Sequence, residues 1–290
     1  MTFHGLLTAL VTPFTGNALD ENAFRSLVRR QLAAGVQGLV PCGTTGEAPT
    51  LTPDEQAEVV RWTLEEAAGS VPVLAGIGSN STSVAMANAK RMESLGVQGV
   101  LATAPYYNKP PQEGLYQHFR AIAEAVQVEV CLYDVPGRSV VHIAPRTVAR
   151  LAEIDNITAL KDATGDMANA VDVRRRCGDS IALLSGDDFT TLPFLTQGGD
   201  GVISVASNVV PGKMRALVDA SRNGQLDQAG PLNETLFPLF RDLFLESNPI
   251  PVKAALAHMG LLQDGLRLPL VPMSDRPRQG LVETLKALSF

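Results

Sequence analysis

The sequence predicts a closed (β/α)8 barrel, a TIM barrel, with a helical C-terminal extension. Three observations carry this. The chain has 290 residues, and barrels of this kind run to about 250 residues as a single unit. Eight short apolar runs alternate with longer amphipathic stretches, the pattern of strand and helix in turn. After the eighth run the alternation stops and only helix-like segments follow.

The runs fall at 5–11, 37–42, 71–78, 97–105, 128–136, 157–162, 181–188 and 201–207. Most are bounded by Gly, Pro or Asp. They are too short and too uniformly apolar for exposed helices, so they read as parallel strands buried on both faces. Segments 21–34, 53–68, 82–95, 112–126, 144–153 and 167–177 read as the helices between them. Thr52-Pro53-Asp54-Glu55 offers an N-cap, a proline in the first turn and acidic residues behind it. Gly35, Gly69 and Gly96 stand where helices need a C-terminal glycine. Segments 210–222, 225–246 and 249–259 form the extension, punctuated by Pro231, Pro238, Pro249 and Pro251. The expected organisation is a barrel core over 1–208 that carries the active site, then a helical region over 209–290. The competing open doubly wound sheet lacks its usual fingerprint, because Gly76-Ile77-Gly78-Ser79-Asn80-Ser81 has no third glycine.

Composition narrows the function. The chain is 45% hydrophobic and 19% charged, which is globular and not disordered. Lys+Arg total 24 against Asp+Glu 30, a net charge of −6, which argues against a general binder of nucleic acid or membrane surfaces. No apolar run approaches the roughly 18–20 residues of a membrane span. The first residues lack the basic segment of a secretory signal. Cys42, Cys131 and Cys177 are scattered and odd in number, without disulfide or zinc spacing. A cytoplasmic location is expected. His4, His118, His142 and His258 form no cluster, and His118 inside a helix reads as structural. Asp187-Asp188 and Asp162/Asp166 offer carboxylate pairs, but a metal is not expected.

Active sites of such barrels lie at the C-terminal ends of the strands. Strand two ends in Gly43-Thr44-Thr45-Gly46-Glu47, whose hydroxyls and backbone N–H groups can converge on an anion. Strand five ends in Tyr133-Asp134-Val135-Pro136-Gly137-Arg138-Ser139, with a phenol for proton transfer and a guanidinium for a carboxylate. Strand six ends in Leu160-Lys161-Asp162. Of the six lysines, at 90, 109, 161, 213, 253 and 286, Lys161 is the one at a predicted strand end. An apolar wall disfavours the charged form of an amine, and a neutral amine can attack a carbonyl to form a Schiff base. The bland alternative is a lysine paired with Asp162 or another acid. Strands seven and eight end in Gly186-Asp187-Asp188 and Gly199-Asp200-Gly201-Val202-Ile203-Ser204, whose glycines let a substrate approach the backbone.

Together these strand ends resemble the class I, Schiff-base-forming pyruvate aldolases and N-acetylneuraminate lyases, and most of all their dihydrodipicolinate synthase branch. The likeness covers nearly the whole chain. It rests on segments 43–47, 105–119, 133–139, 160–165, 184–188, 198–208 and 248–253. It implies a homotetramer that condenses pyruvate with L-aspartate 4-semialdehyde, the first committed step of lysine biosynthesis through diaminopimelate. No cofactor is implied beyond a covalent pyruvate imine on Lys161. By position, Tyr133 is the acid and base, and Thr44 links it to Tyr107 of the neighbouring subunit. Thr45 and the N–H groups of its turn hold the pyruvate carboxylate. Arg138 grips the carboxylate of the semialdehyde, and Gly186 and the carbonyl of Ile203 line the site.

Arg138 favours the synthases within the family, because lyases of polyhydroxylated sugar acids generally lack it. Other pyruvate-dependent aldolases, and a non-enzymatic binding protein on the same barrel, are the alternatives. Asp134 departs from the more usual Asn, Gly137 from a common Ser and Ser139 from a common Thr. Asp162 replaces a more usual Glu. Strand alternation points Asp134 away from the side of Tyr133. Relatives that lysine inhibits bind it through an Asn, a Tyr, a His and a Glu. Asn80 and Tyr106 match two of these, while Gln56 replaces the His and Val84 the Glu. Loss of that Glu removes the anionic partner of the lysine ammonium, at a cost of roughly 2–5 kcal/mol. Inhibition by lysine is expected to be weak or absent.

Overall fold

A computed structural model describes residues 3–289. Its barrel strands are β1 (Gly5–Ala9), β2 (Gly38–Val40), β3 (Leu74–Gly76), β4 (Gly99–Thr103), β5 (Glu129–Asp134), β6 (Ile157–Asp162), β7 (Ala182–Ser185) and β8 (Gly201–Ser204). They pair in parallel in the order β2-β1-β8-β7-β6-β5-β4-β3. A parallel bridge between Leu39 and Val73 closes the sheet. All eight expected runs contain one of these strands.

Alternation within the strands makes two apolar layers. Leu7, Ala9, Cys131, Tyr133, Leu184 and Ile203 share the barrel interior. Leu6, Leu10, Val130, Leu132, Leu160 and Val202 face the helices on the outside. Each fully buried Leu or Val contributes about 1.5–3 kcal/mol. The period of two therefore decides which side chains can reach the interior, and Tyr133 is on that side.

The barrel helices are α1 (Glu21–Ala33), α2 (Pro53–Ala67), α3 (Thr82–Ser94), α4 (Gln112–Ala125), α5 (Pro145–Leu151), α6 (Met167–Cys177), α7 (Thr191–Thr196) and α8 (Pro211–Arg222). At the start of α2, Thr52 Oγ1 accepts from Glu55 N at 3.2 Å, and the Glu55 carboxylate accepts from Thr52 N at 2.8 Å. This reciprocal cap is worth about 1 kcal/mol. Gly35 and Gly69 follow α1 and α2 at φ +76° and +75°, the left-handed backbone that glycine adopts without strain. Helix α8 lies in the segment assigned from sequence to the C-terminal region, and it packs on β1 and β8.

Helices α9 (Leu226–Asp242), α10 (Ile250–His258) and α11 (Asp275–Ala287) follow. The expected helix over 225–246 stops at Asp242. The freed residues turn back over the barrel mouth, and Pro249 biases the residue before it away from helix. Helix α11 had no counterpart in the sequence expectation. Its buried stripe is only Leu281 and Leu285, too narrow to stand out as periodic. No helix among the described residues is long and apolar enough to cross a membrane.

Candidate active site

Strands β5 and β6 set Tyr133 and Lys161 at paired register. Both are buried. Lys161 Nζ lies 4.1 Å from the centroid of the Tyr133 ring, a cation–π distance. Asp162 points the other way. Its Oδ1 accepts from Thr164 N at 2.8 Å and its Oδ2 from Asn169 Nδ2 at 2.9 Å. Lys161 therefore faces the phenol ring and not the neighbouring carboxylate. Below it, burial pushes the Cys131 thiol up to about 12, so that sulfur stays protonated and unreactive.

Gly186 at the end of β7 leaves room for this amine. A Cβ there would stand 3.1 Å from Lys161 Cε and 2.7 Å from Ala163 Cβ. Gly186, Lys161, Tyr133, Thr44, Thr45 and Arg138 line one cavity of about 600 Å³. Ile203 sits in the interior beneath it, packed in the same cluster as Tyr133.

The strand-two turn winds tightly. Gly46 N and Glu47 N donate to Gly43 O and Thr44 O, both at 3.1 Å. Those two N–H groups are spent within the turn. Among the described residues no protein acceptor meets the N–H of Thr44 or Thr45, which leaves these two for an anion. Thr45 Oγ1 accepts from Asn248 Nδ2 at 3.0 Å. Arg138 sits on the single helical turn Pro136–Ser139, and its Nη2 donates to Asn248 O at 3.0 Å.

Tyr107 is not brought to the cavity within one chain. It is 87% exposed, at φ +73°. For a bulky residue that left-handed backbone costs about 1–2 kcal/mol. Gln56 and Tyr106 line a second cavity of about 270 Å³, which Thr44 and Arg138 also border. Gln56 Nε2 donates to Ala48 O at 3.1 Å. Asn80 does not line it, and its carbonyl accepts from Asn108 Nδ2 at 2.8 Å. Val84 stands exposed near the start of α3.

Other candidates have structural duties. Asp188 is fully buried and accepts from Ser204 Oγ at 2.6 Å, Val205 N at 3.0 Å and Ala206 N at 2.8 Å. Burial raises its carboxyl to about 6. Asp187 Oδ1 accepts from Phe189 N at 3.1 Å. Among the described residues no three His, Cys, Asp or Glu side chains gather as a metal site. His118 Nδ1 lies 2.9 Å from Thr82 Oγ1, and burial lowers its pKa to about 4. Asp134 faces away from the cavity, accepting from His142 Nδ1 at 2.7 Å and Ile143 N at 3.2 Å. Burial raises the Asp134 carboxyl, and the bond to Asp134 raises His142.

Sequence reasoning gave no role to Asn248 or to the pair Glu47–Lys253. Lys253 Nζ donates to Glu47 Oε1 at 2.6 Å and to Thr12 O at 2.8 Å, with both side chains wholly buried. Burial lowers the lysine, against the pull of Glu47. The signal was a lysine inside the otherwise apolar stretch 250–256.

A barrel with a buried lysine beside a phenol at the strand ends is that of a class I, Schiff-base-forming lyase. The dihydrodipicolinate synthetase family model matches residues 2–288. The 4-hydroxy-tetrahydrodipicolinate synthase of Pelobacter propionicus is 48% identical over 285 residues, 98% of each chain. That of Syntrophus aciditrophicus is 48% identical over 284 residues, again 98% of each. A crystal structure of the Thermotoga maritima dihydrodipicolinate synthase superposes at TM-score 0.97 with 43% identity, covering 99% of this chain and 98% of that one. The Acinetobacter baumannii enzyme complexed with pyruvate gives TM-score 0.97 and 41% identity over 99% of both chains. The chain belongs to the dihydrodipicolinate synthetase family.

Proposed function

We propose that the protein condenses pyruvate with L-aspartate 4-semialdehyde, as a 4-hydroxy-tetrahydrodipicolinate synthase of lysine biosynthesis through diaminopimelate. One observation carries this reading. A single cavity holds the Lys161 amine beside Tyr133, the Thr44–Thr45 turn and the Arg138 guanidinium. It therefore offers one nucleophile and two separate places for carboxylates.

Lys161 Nζ attacks the keto carbon of pyruvate, and the keto oxygen leaves as water. The resulting iminium is an electron sink that acidifies the pyruvate methyl. Tyr133, its own phenolic proton handed to the hydroxyl of Thr44, takes a proton from that methyl, giving the enamine. The enamine carbon bonds to the aldehyde carbon of the second substrate, and the aldehyde oxygen takes the proton that Tyr133 carries. The substrate amine then attacks the iminium carbon and releases Lys161 with ring closure. A phenol has an ordinary pKa near 10, so it needs help as a base. In this reading the relay through Thr44 to Tyr107 of a second copy supplies it, and the free N–H groups of Thr44 and Thr45 hold the pyruvate carboxylate.

The tetramer and the shared Tyr107 belong to this proposal. The exposed Tyr106, Tyr107 and Val84 support a covering subunit there. The cytoplasmic location belongs to it too, and three unpaired cysteines fit a reducing compartment. Weak or absent inhibition by lysine follows from Gln56 and Val84, and sub-millimolar inhibition would contradict it.

Arg138→Ala tests the choice of substrate. Borohydride trapping of pyruvate should persist in this variant while turnover of the semialdehyde is lost. Full turnover of the semialdehyde by the variant would contradict the role given to Arg138, and a wild type that traps pyruvate but does not turn over the semialdehyde would favour an aldolase for another 2-keto acid or sugar acid.

A further inference from the structure

We propose that Asn248 is a positioning residue that ties the two carboxylate holders, Thr45 and Arg138, to one point of the C-terminal region. The inference rests on the reading of Thr45 as a holder of the pyruvate carboxylate. Asn248 lies in the turn between α9 and α10 and is only 6% exposed. It uses two different groups. Its side-chain Nδ2 donates to Thr45 Oγ1 at 3.0 Å, and its main-chain oxygen accepts from Arg138 Nη2 at 3.0 Å.

The direction of the first bond matters. A threonine hydroxyl has one proton to give and two lone pairs to accept with. By accepting from Asn248, Thr45 keeps its proton for an acceptor in the cavity, and an anion is the acceptor that gains most from it. Asn248 thereby fixes the polarity of Thr45 without touching substrate. Its own Oδ1 is buried and has no hydrogen-bond partner. A buried acceptor left unpaired costs stability, so folding alone gives no reason for an amide here. An apolar side chain would avoid that cost but would lose the bond to Thr45.

The test is a double-mutant cycle on the full-length enzyme with pyruvate and the semialdehyde. Asn248→Ala should raise the pyruvate KM about tenfold, the scale of a hydrogen bond serving a charged group. It should leave the semialdehyde KM within about twofold, because the main-chain bond to Arg138 survives. Thr45→Val should raise the pyruvate KM at least as much, and Asn248→Ala should then add nothing in the Thr45→Val background. Asn248→Asp keeps the shape, so it serves where the alanine variant folds poorly. Its carboxylate would take the threonine proton for itself and should raise the pyruvate KM beyond the alanine value. Additive effects, equal changes for both substrates, or an unchanged KM in Asn248→Asp would overturn the assignment. An unchanged pyruvate KM in Thr45→Val would show that the reading of Thr45 itself has failed.

Discussion

Lys161 Nζ sits over the Tyr133 ring at 4.1 Å, from adjacent strands at paired register. The relationship follows from the period of two in β5 and β6, which turns both side chains into the barrel interior. Asp134 and Asp162 alternate to the other side and bond elsewhere. The amine is thus left beside a proton carrier and is not bonded to Asp134 or Asp162.

Gly186 guards that arrangement. A Cβ at this position meets Lys161 Cε and Ala163 within contact distance, so Gly186→Ala must move one of them. Overpacking of this kind costs about 1–3 kcal/mol. Displacement of the amine should lower kcat/KM by 10-fold or more, on the order of that energy, with a smaller loss of melting temperature. Wild-type kinetics in Gly186→Ala would show that the lysine tolerates another position.

The pair Glu47–Lys253 links the strand-two turn to α10. Removing one member of a buried ion pair costs about 3–5 kcal/mol, because the other charge is left alone. Lys253→Met should lose stability on that scale in urea unfolding. The double variant Glu47→Gln, Lys253→Met should recover part of the loss. If the double variant is the sum of the singles, the two charges are not coupled.

His142 gives a pH dependence with a defined sign. Its bond to Asp134 raises its pKa above the ordinary value of about 6.5. The group therefore binds a proton more tightly when folded. Its stabilisation is fully present below about pH 6.5 and is lost as pH rises through the raised value. The carboxyl of Asp134 is itself raised by burial, and its titration belongs to the acid limb. The melting temperature of wild type should exceed that of His142→Gln most near about pH 6, and the gap should close toward about pH 9. A gap of constant size across that range would mean that the pair carries no charge-dependent stability.

What the sequence made legible follows from local physics. Strands buried on both faces leave uninterrupted apolar runs, so all eight were visible. Lys161 and Tyr133 were visible because a strand end has a fixed place in a barrel. Asn248 was not, since its partner Thr45 lies 203 residues away in the chain and nothing local marks the contact. Lys253 stood out locally as a lysine in an apolar stretch, but its partner Glu47 did not show, lying 206 residues away. Helix α11 hid because two leucines make a faint stripe. Tyr107 was named only through its likeness to relatives, and within one chain it stands exposed and does not line the cavity.

The central claim is that Lys161 forms the imine. The most direct measurement is a peptide-mapped mass spectrum after sodium borohydride, with and without pyruvate. Reduced pyruvate should appear on Lys161 alone, only when pyruvate is present, and should vanish in Lys161→Ala. A folded protein that gains no adduct, or gains it on another lysine such as Lys253, would contradict the account.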